Sequence, residues 1–427
     1  MTGRVRATTQ RNSGAFSPSS WPGVVVAIIA LGAVLRAVSL AINWNRSLDP
    51  DASEYLLLAK RYSFEHPWSA SFREPLWRAL VKIATGPWGY SAHSLRVFTT
   101  AISIATLPIA WILLRKLVVS RAVPLRAAWI ALAILALSAQ LIREAPRGLR
   151  EDLCLLLFLA FVTALLMRPA TFRAAALLAA PVALLAVIRW ELASFALIVT
   201  VLFTIFRRVG WQAPALALVA IAIFSGPWLF ANRQAHGKLL YNTEVHATYY
   251  WKHEQGGAVL KQFSSPPADD PPIHLSWSDY YLDYLGPLES AKRFTTGYPK
   301  LAVKLVASQV VPRGAAGGTL GGSQDSAAWR LVVVALAVSF ALLLALVALR
   351  LRRTGKLAAL TWESTAILAL AIAPYAALAN AVEMRVLVFA VPMLALAVGI
   401  ITDRLLTTTR VAGEAPITPT APTALVP

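Results

Sequence analysis

Apolar residues in this chain neither alternate nor keep to one helical face. They come in long blocks separated by short polar punctuation. Blocks lie near 22–42, 96–114, 127–142, 152–167, 174–190, 192–206, 212–231, 329–349, 364–381 and 386–402. Their lengths cluster around the roughly 17–25 residues that a helix needs to cross a bilayer. The pattern predicts an all-α polytopic membrane protein of about ten transmembrane helices, forming one integral membrane domain over 1–427. Two long polar stretches interrupt it, a first loop at 43–95 and a second loop region at 232–328. Within the second, 289–312 carries an apolar run too short to span, which suits an interfacial helix.

Composition agrees with a membrane protein. Of the 427 residues, 57% are hydrophobic and 14% charged, whereas a soluble domain carries about 25% charged residues. Disordered chains are polar, so disorder is excluded. The only cysteine, Cys154, excludes a disulfide framework.

A net charge of +19 would suit nucleic acid, but the positions of the charges give another reading. With ten spans both termini share a side. On that side fall Arg4, Arg6 and Arg11, the clusters at 115–126, 168–173, 207–208 and 350–356, and Arg404 and Arg410. Basic residues concentrated this way mark the cytoplasmic face. The charge is a topology signal and nucleic acid is an unnecessary partner. The first block lacks a small-residue cleavage site and reads as a retained anchor. A multi-pass protein of a bacterial cytoplasmic membrane, with both loops outside, is expected.

The chemistry gathers in the external segments. Asp49-Pro50-Asp51 opens a helical stretch to His66, with Asp49 as N-cap and Pro50 in the first turn. Asp51, Tyr55, Leu58, Ala59 and Tyr62 share one face, placing a carboxylate at the leading end of an apolar and aromatic stripe. Glu54 reads as a solvated first-turn acid. Between two spans, residues 143–152 hold Arg143, Arg147 and Arg150 beside Glu144, Glu151 and Asp152. Such arginines suit a phosphate, which a guanidinium grips bidentately, or else a set of interfacial salt bridges. Arg189 and Arg385 end spans on the same side and read as snorkelling side chains. His246, His253 and His274 show no zinc spacing. Hydrolase signatures and a Gly-rich phosphate loop are absent.

These residues resemble the GT-C membrane glycosyltransferases, in particular the branch of protein O-mannosyltransferases and lipid A aminoarabinose transferases. In a family pattern Asp-Glu-x-x-Tyr-x-x-x-Ala, Asp51, Tyr55 and Ala59 match, while Ala52 replaces the Glu. Arg73-Glu74-Pro75-Leu76 is similar to a Lys-Pro-Pro-Leu segment whose basic residue meets a carrier phosphate. Leu95-Arg96, Arg189-Trp190-Glu191, the Gly237–Tyr241 segment and Glu383-Met384-Arg385 look like further family landmarks.

The resemblance implies a sugar donor linked to polyprenyl phosphate and a glycan, lipid or protein acceptor. The reaction would be an inverting displacement at the outer face. Asp51 would act on the acceptor hydroxyl as base or orienting group. Arg73, Arg143, Arg147 and Arg385, with Tyr55, would bind substrate and phosphate. No cofactor is required, although Asp49 and Asp51 could hold a divalent cation. The rival readings are a catalytically silent scaffold or lipid-binding protein of the same fold, a secondary transporter, and a ligase of lipid-linked oligosaccharides. The transporter predicts charges within spans, whereas these spans read as apolar with charges at their ends.

Overall fold

A computed structural model describes residues 23–120, 122–206, 208–255, 275–310, 367 and 388–413. Among the described residues there are helices and no strand. Long helices α1 (Gly23–Asn43) and α4 (Ala92–Val119) flank the first loop, which holds α2 (Pro50–Arg61) and α3 (Pro75–Thr85). Then come α5 (Leu125–Leu137), the short α6 (Ala139–Glu144), α7 (Glu151–Leu166), α8 (Phe172–Ala186), α9 (Trp190–Ile205) and α10 (Gln212–His236). The second loop region contributes α11 (Tyr241–Gln255), a π-helical turn at Asp279–Tyr284 and α12 (Pro287–Val310), and α13 (Val391–Gly413) closes the order.

Four segments are long and apolar enough to cross a membrane: Gly23–Asn43, Ala92–Val119, Leu125–Arg147 and Gln212–His236. Phe172–Ala186, Trp190–Ile205 and Val388–Asp403 are shorter apolar helices. The expected spans at 329–349 and 364–381 fall outside the described residues, apart from Ile367. The protein is therefore a helical membrane protein.

The helices pack as a bundle, α8 on α7 and α10, α4 on α7, α1 on α4 and α5, and α13 on α5. Trp111, Phe158 and Phe389 fill its centre, with Phe158 and Phe389 edge to face at 5.2 Å. Away from the core, α1 leaves Val34 and Ile42 exposed, an apolar face suited to lipid. Gly399 lets α13 approach α5 closely, because a Cβ there would overlap the carbonyl oxygen of Ala127.

Two expectations change. The span at 127–142 is broken: Ser138 leaves helical geometry, and its hydroxyl caps α6 by accepting the Leu141 N–H at 3.1 Å. Nor are all spans free of internal charge. Arg36 is buried within α1, where Nε donates to Ser103 Oγ at 2.8 Å and the terminal nitrogens donate to the carbonyls of Gly32, Leu135 and Ala136. The Leu135 and Ala136 carbonyls belong to the last turn of α5, which the break deprives of helical partners. Ser103 in turn donates to Asp152 at 3.0 Å. Arg36 thus caps α5 from a neighbouring helix, and its burial is compensated by those bonds.

The run at 289–312 becomes α12, a helix of 24 residues containing Pro299, which buries Leu301 and Leu305 in the bundle. It ends on the break in the fifth helix: Gln309 accepts from Ser138 Oγ at 2.5 Å and donates to Gln140 Oε1 at 2.8 Å.

Replacing Gly399 by Ala should lower the thermal unfolding midpoint in detergent, by the equivalent of about 1–3 kcal/mol of overpacking. Gly226→Ala, where a Cβ meets nothing within 4 Å, should leave the midpoint unchanged or raised.

Candidate functional site

The first loop folds back on one end of the bundle because α2 and α3 each bury one face. Asp49 caps α2, its side chain accepting the Asp51 N–H at 3.3 Å, and Pro50 starts the helix. The buried stripe is Ala52, Tyr55 and Ala59, so Asp51 sits at its border and not on it. On α3, Pro75 starts the helix and Trp77 packs edge to face on Tyr55 at 6.2 Å. Gly148 makes the matching turn between α6 and α7 in the left-handed region, at φ 82°. A Cβ there would stand 3.0 Å from that of Ala52. Position 52 therefore faces a packed wall with no room for a longer acid.

Four arginines and five carboxylates meet above this wall. Arg73 Nη2 donates to Glu54 Oε2 at 2.6 Å and to Asp51 Oδ1 at 3.1 Å. Its guanidinium also lies over the rings of Tyr55, at 5.1 Å, and Phe72, at 4.9 Å. Glu54 is thus not a solvated acid: its side chain is only 12% exposed and it is the shorter partner of Arg73. Arg147 pairs with Asp49 and holds Glu144 Oε2 at 2.7 Å. Arg143 reaches Glu144 Oε1 at 2.9 Å from a side chain that is 37% exposed. Arg150 pairs with Glu74 and donates to the Ile188 carbonyl, both groups being buried.

Glu74 ties these elements together. Its second oxygen accepts the Trp190 N–H at 3.2 Å and the Asn242 amide at 3.5 Å, joining the first loop to α7, α9 and α11. Phe72, Tyr241 and Val245 form a small apolar contact beside it. Arg96 fixes the other end of the loop by donating to the carbonyls of Pro146 and Arg46.

The electrostatics keep Arg73 charged and Tyr55 neutral. Burial pushes the Tyr55 hydroxyl up to about 12, against the pull of Arg150 and Arg73. Burial opposes the charge on Arg73, yet Tyr55, Glu54 and Asp51 outweigh it and raise the group well above its ordinary value. Arg73 retains unused capacity, since its buried Nε makes no hydrogen bond.

The structure thus brings together Asp49, Asp51, Tyr55, Arg73, Arg143 and Arg147. Arg385 lies outside the described residues. Arg189, expected to snorkel, is buried beside Trp190. A divalent cation does not fit the Asp49–Asp51 pair, because each carboxylate already faces a guanidinium. No group of three His, Cys, Asp or Glu side chains suits a metal among the described residues. Glu74 and the His246–Glu191 pair were not singled out from sequence, although Glu74 stands beside Arg73 in the quoted segment.

Glu74→Ala should leave Arg150 buried and uncompensated, costing about 3–5 kcal/mol, read as a large fall in the unfolding midpoint in detergent. Arg143→Ala removes a half-exposed pair and should cost about 0–1 kcal/mol in the same assay.

No protein-family model and no curated protein matches the sequence. Solved structures do. The apo oligosaccharyltransferase of Archaeoglobus fulgidus superposes with a TM-score of 0.50 at 13% identity, over 94% of this chain and 53% of that one. The chain spans about half the length of that protein. The archaeal oligosaccharyltransferase AglB from the same organism, with an inhibitory peptide and a dolichol-phosphate, gives 0.49 at 14% identity, over 94% and 52%. ArnT from Cupriavidus metallidurans bound to undecaprenyl phosphate gives 0.41 at 17% identity, over 94% and 83%. At such identities the likeness is one of fold. The chain shares the fold of the membrane region it matches in the apo oligosaccharyltransferase.

Proposed function

We propose that this protein is a glycosyltransferase that moves a sugar from a polyprenyl-phosphate donor to an acceptor hydroxyl. The reaction takes place at the outer face of a bacterial cytoplasmic membrane. The observation that carries the reading is the Asp51–Arg73–Glu54 cluster on the first loop of a GT-C-type fold. A polyprenyl-phosphate sugar needs a membrane-level site with cationic donors for its phosphate and a carboxylate for the incoming hydroxyl. Arg73 has a free Nε, and Arg143 has a half-exposed guanidinium engaged on one nitrogen.

The reaction is a single displacement. The acceptor oxygen attacks the anomeric carbon as the bond from that carbon to the phosphate oxygen breaks. The electron pair of that bond leaves on polyprenyl phosphate. Arg73, with Arg143, Arg147 and Arg385, stabilises the charge that grows on the leaving phosphate. Tyr55 stays protonated and donates from beneath Arg73. Asp51, at the border of the α2 stripe with a side chain 31% exposed, meets the acceptor hydroxyl as base or orienting group. The position of the missing family Glu is a packed alanine, while Glu54 supplies the second carboxylate to Arg73. That substitution of place favours an active enzyme over a silent scaffold. Arg36, the one charge of α1, is held by Ser103 and the last carbonyls of α5 as a helix cap.

In vesicles containing the purified protein, Asp51→Asn should lower sugar loss from a radiolabelled carrier by about 10²–10⁴-fold. Carrier binding, followed separately, should persist. Arg73→Lys should weaken carrier binding itself, since a lysine cannot reproduce the forked contacts. An Asp51→Asn protein that turns over like the wild type would remove the carboxylate from the mechanism.

A further inference from the structure

A second pair of titratable groups sits at the same outer face and is not used by the chemistry above. Glu191, in the first turn of α9, accepts at Oε1 from His246 Nδ1 of α11 at 2.9 Å. The two are held in register by the scaffold around Glu74, which bonds both the Trp190 N–H next to Glu191 and Asn242, one helical turn before His246. Arg189 and Arg150 supply positive charge beside Glu191. From the first loop, Glu74 faces the same turn of α11 and Arg73 is its neighbour.

The geometry of this pair is asymmetric. A carboxylate at Nδ1 fixes the proton there and turns the Nε2 lone pair outward. His246 makes no second bond among the described residues, and its side chain is 31% exposed. Glu191 Oε2 is buried and likewise without a partner. A histidine oriented by a carboxylate, with its outer nitrogen unbonded, is the arrangement of a proton acceptor. Asp51 is less suited to that task, because its carboxylate is already held by Arg73 at 3.1 Å.

We propose that His246 and Glu191 form a second acid–base site of the outer face, where His246 Nε2 takes the proton of the acceptor hydroxyl while Asp51 orients that hydroxyl. The inference rests on the glycosyl-transfer reading. As the acceptor oxygen bonds to the anomeric carbon, its proton passes to Nε2, and the carbon–oxygen pair of the donor leaves with polyprenyl phosphate. Glu191 stabilises the imidazolium until it loses the proton to water. The acceptor presents a hydroxyl to the exposed edge of His246.

The test uses the full chain in vesicles, decaprenyl- and undecaprenyl-phosphate sugars labelled in the sugar, and short alkyl glycosides as acceptors. His246→Asn keeps an amide nitrogen at the Nδ1 position but has nothing at Nε2. It should bind carrier as the wild type does and lose about 10²–10⁴-fold in turnover. His246→Ala should lose as much and recover part of its turnover when imidazole is added, which a purely structural role would not allow. If the wild type transfers sugar and His246→Asn transfers it within two-fold, the acid–base site is wrong and the glycosyl-transfer reading stands. Loss in His246→Ala without imidazole rescue, together with normal turnover of His246→Asn, also overturns it. A wild type inactive on every donor removes both.

Discussion

The buried ion pair of Glu74 with Arg150 holds one end of the helix bundle together. Two opposite charges with side chains 1% and 6% exposed are costly to desolvate, and the pairing is tolerable because both oxygens of Glu74 are engaged and Arg150 also reaches the Ile188 carbonyl. Glu74 spends one oxygen on Arg150 and the other on Trp190 and Asn242. Through that one carboxylate the first loop, the start of α7, the start of α9 and α11 take fixed positions relative to one another. Arg73, the next residue along the chain, is thereby placed over Tyr55 within reach of Asp51 and Glu54. The His246–Glu191 pair is delivered by the same junction.

A similar economy operates deeper in the bundle. The break at Ser138 frees the last carbonyls of α5, and Arg36 of α1 collects them. The break lets α6 and the following turn carry Glu144 and Arg147 to Asp49. An arginine inside a span is thus part of how the charges at the end of the bundle are arranged.

Much of this was legible in the sequence where the signal is local. Block lengths located most of the helices, the Asp49-Pro50 cap started α2 where expected, and the Arg143–Asp152 segment stood out by composition. Partners distant in sequence were not legible. Glu54 reads as solvated from its helix position, yet Arg73, nineteen residues on, reaches it. Glu74 and Arg150 are 76 residues apart, and Glu191 and His246 are 55 apart. The break at Ser138 lies in an apolar run with no Pro or Gly to mark it, and Arg36 lies unremarked within a block that reads as a plain span. In each case a tertiary contact decided what local pattern could not. The fold and the carboxylate–arginine cluster support the proposed transfer of a sugar from a lipid phosphate.

The most direct measurement is release of free polyprenyl phosphate from a labelled polyprenyl-phosphate sugar by the wild-type protein in vesicles. Release that requires an added hydroxyl acceptor and yields the inverted glycoside is the predicted result. Carrier that stays intact with every sugar and acceptor, although the folded protein binds it, would contradict the account.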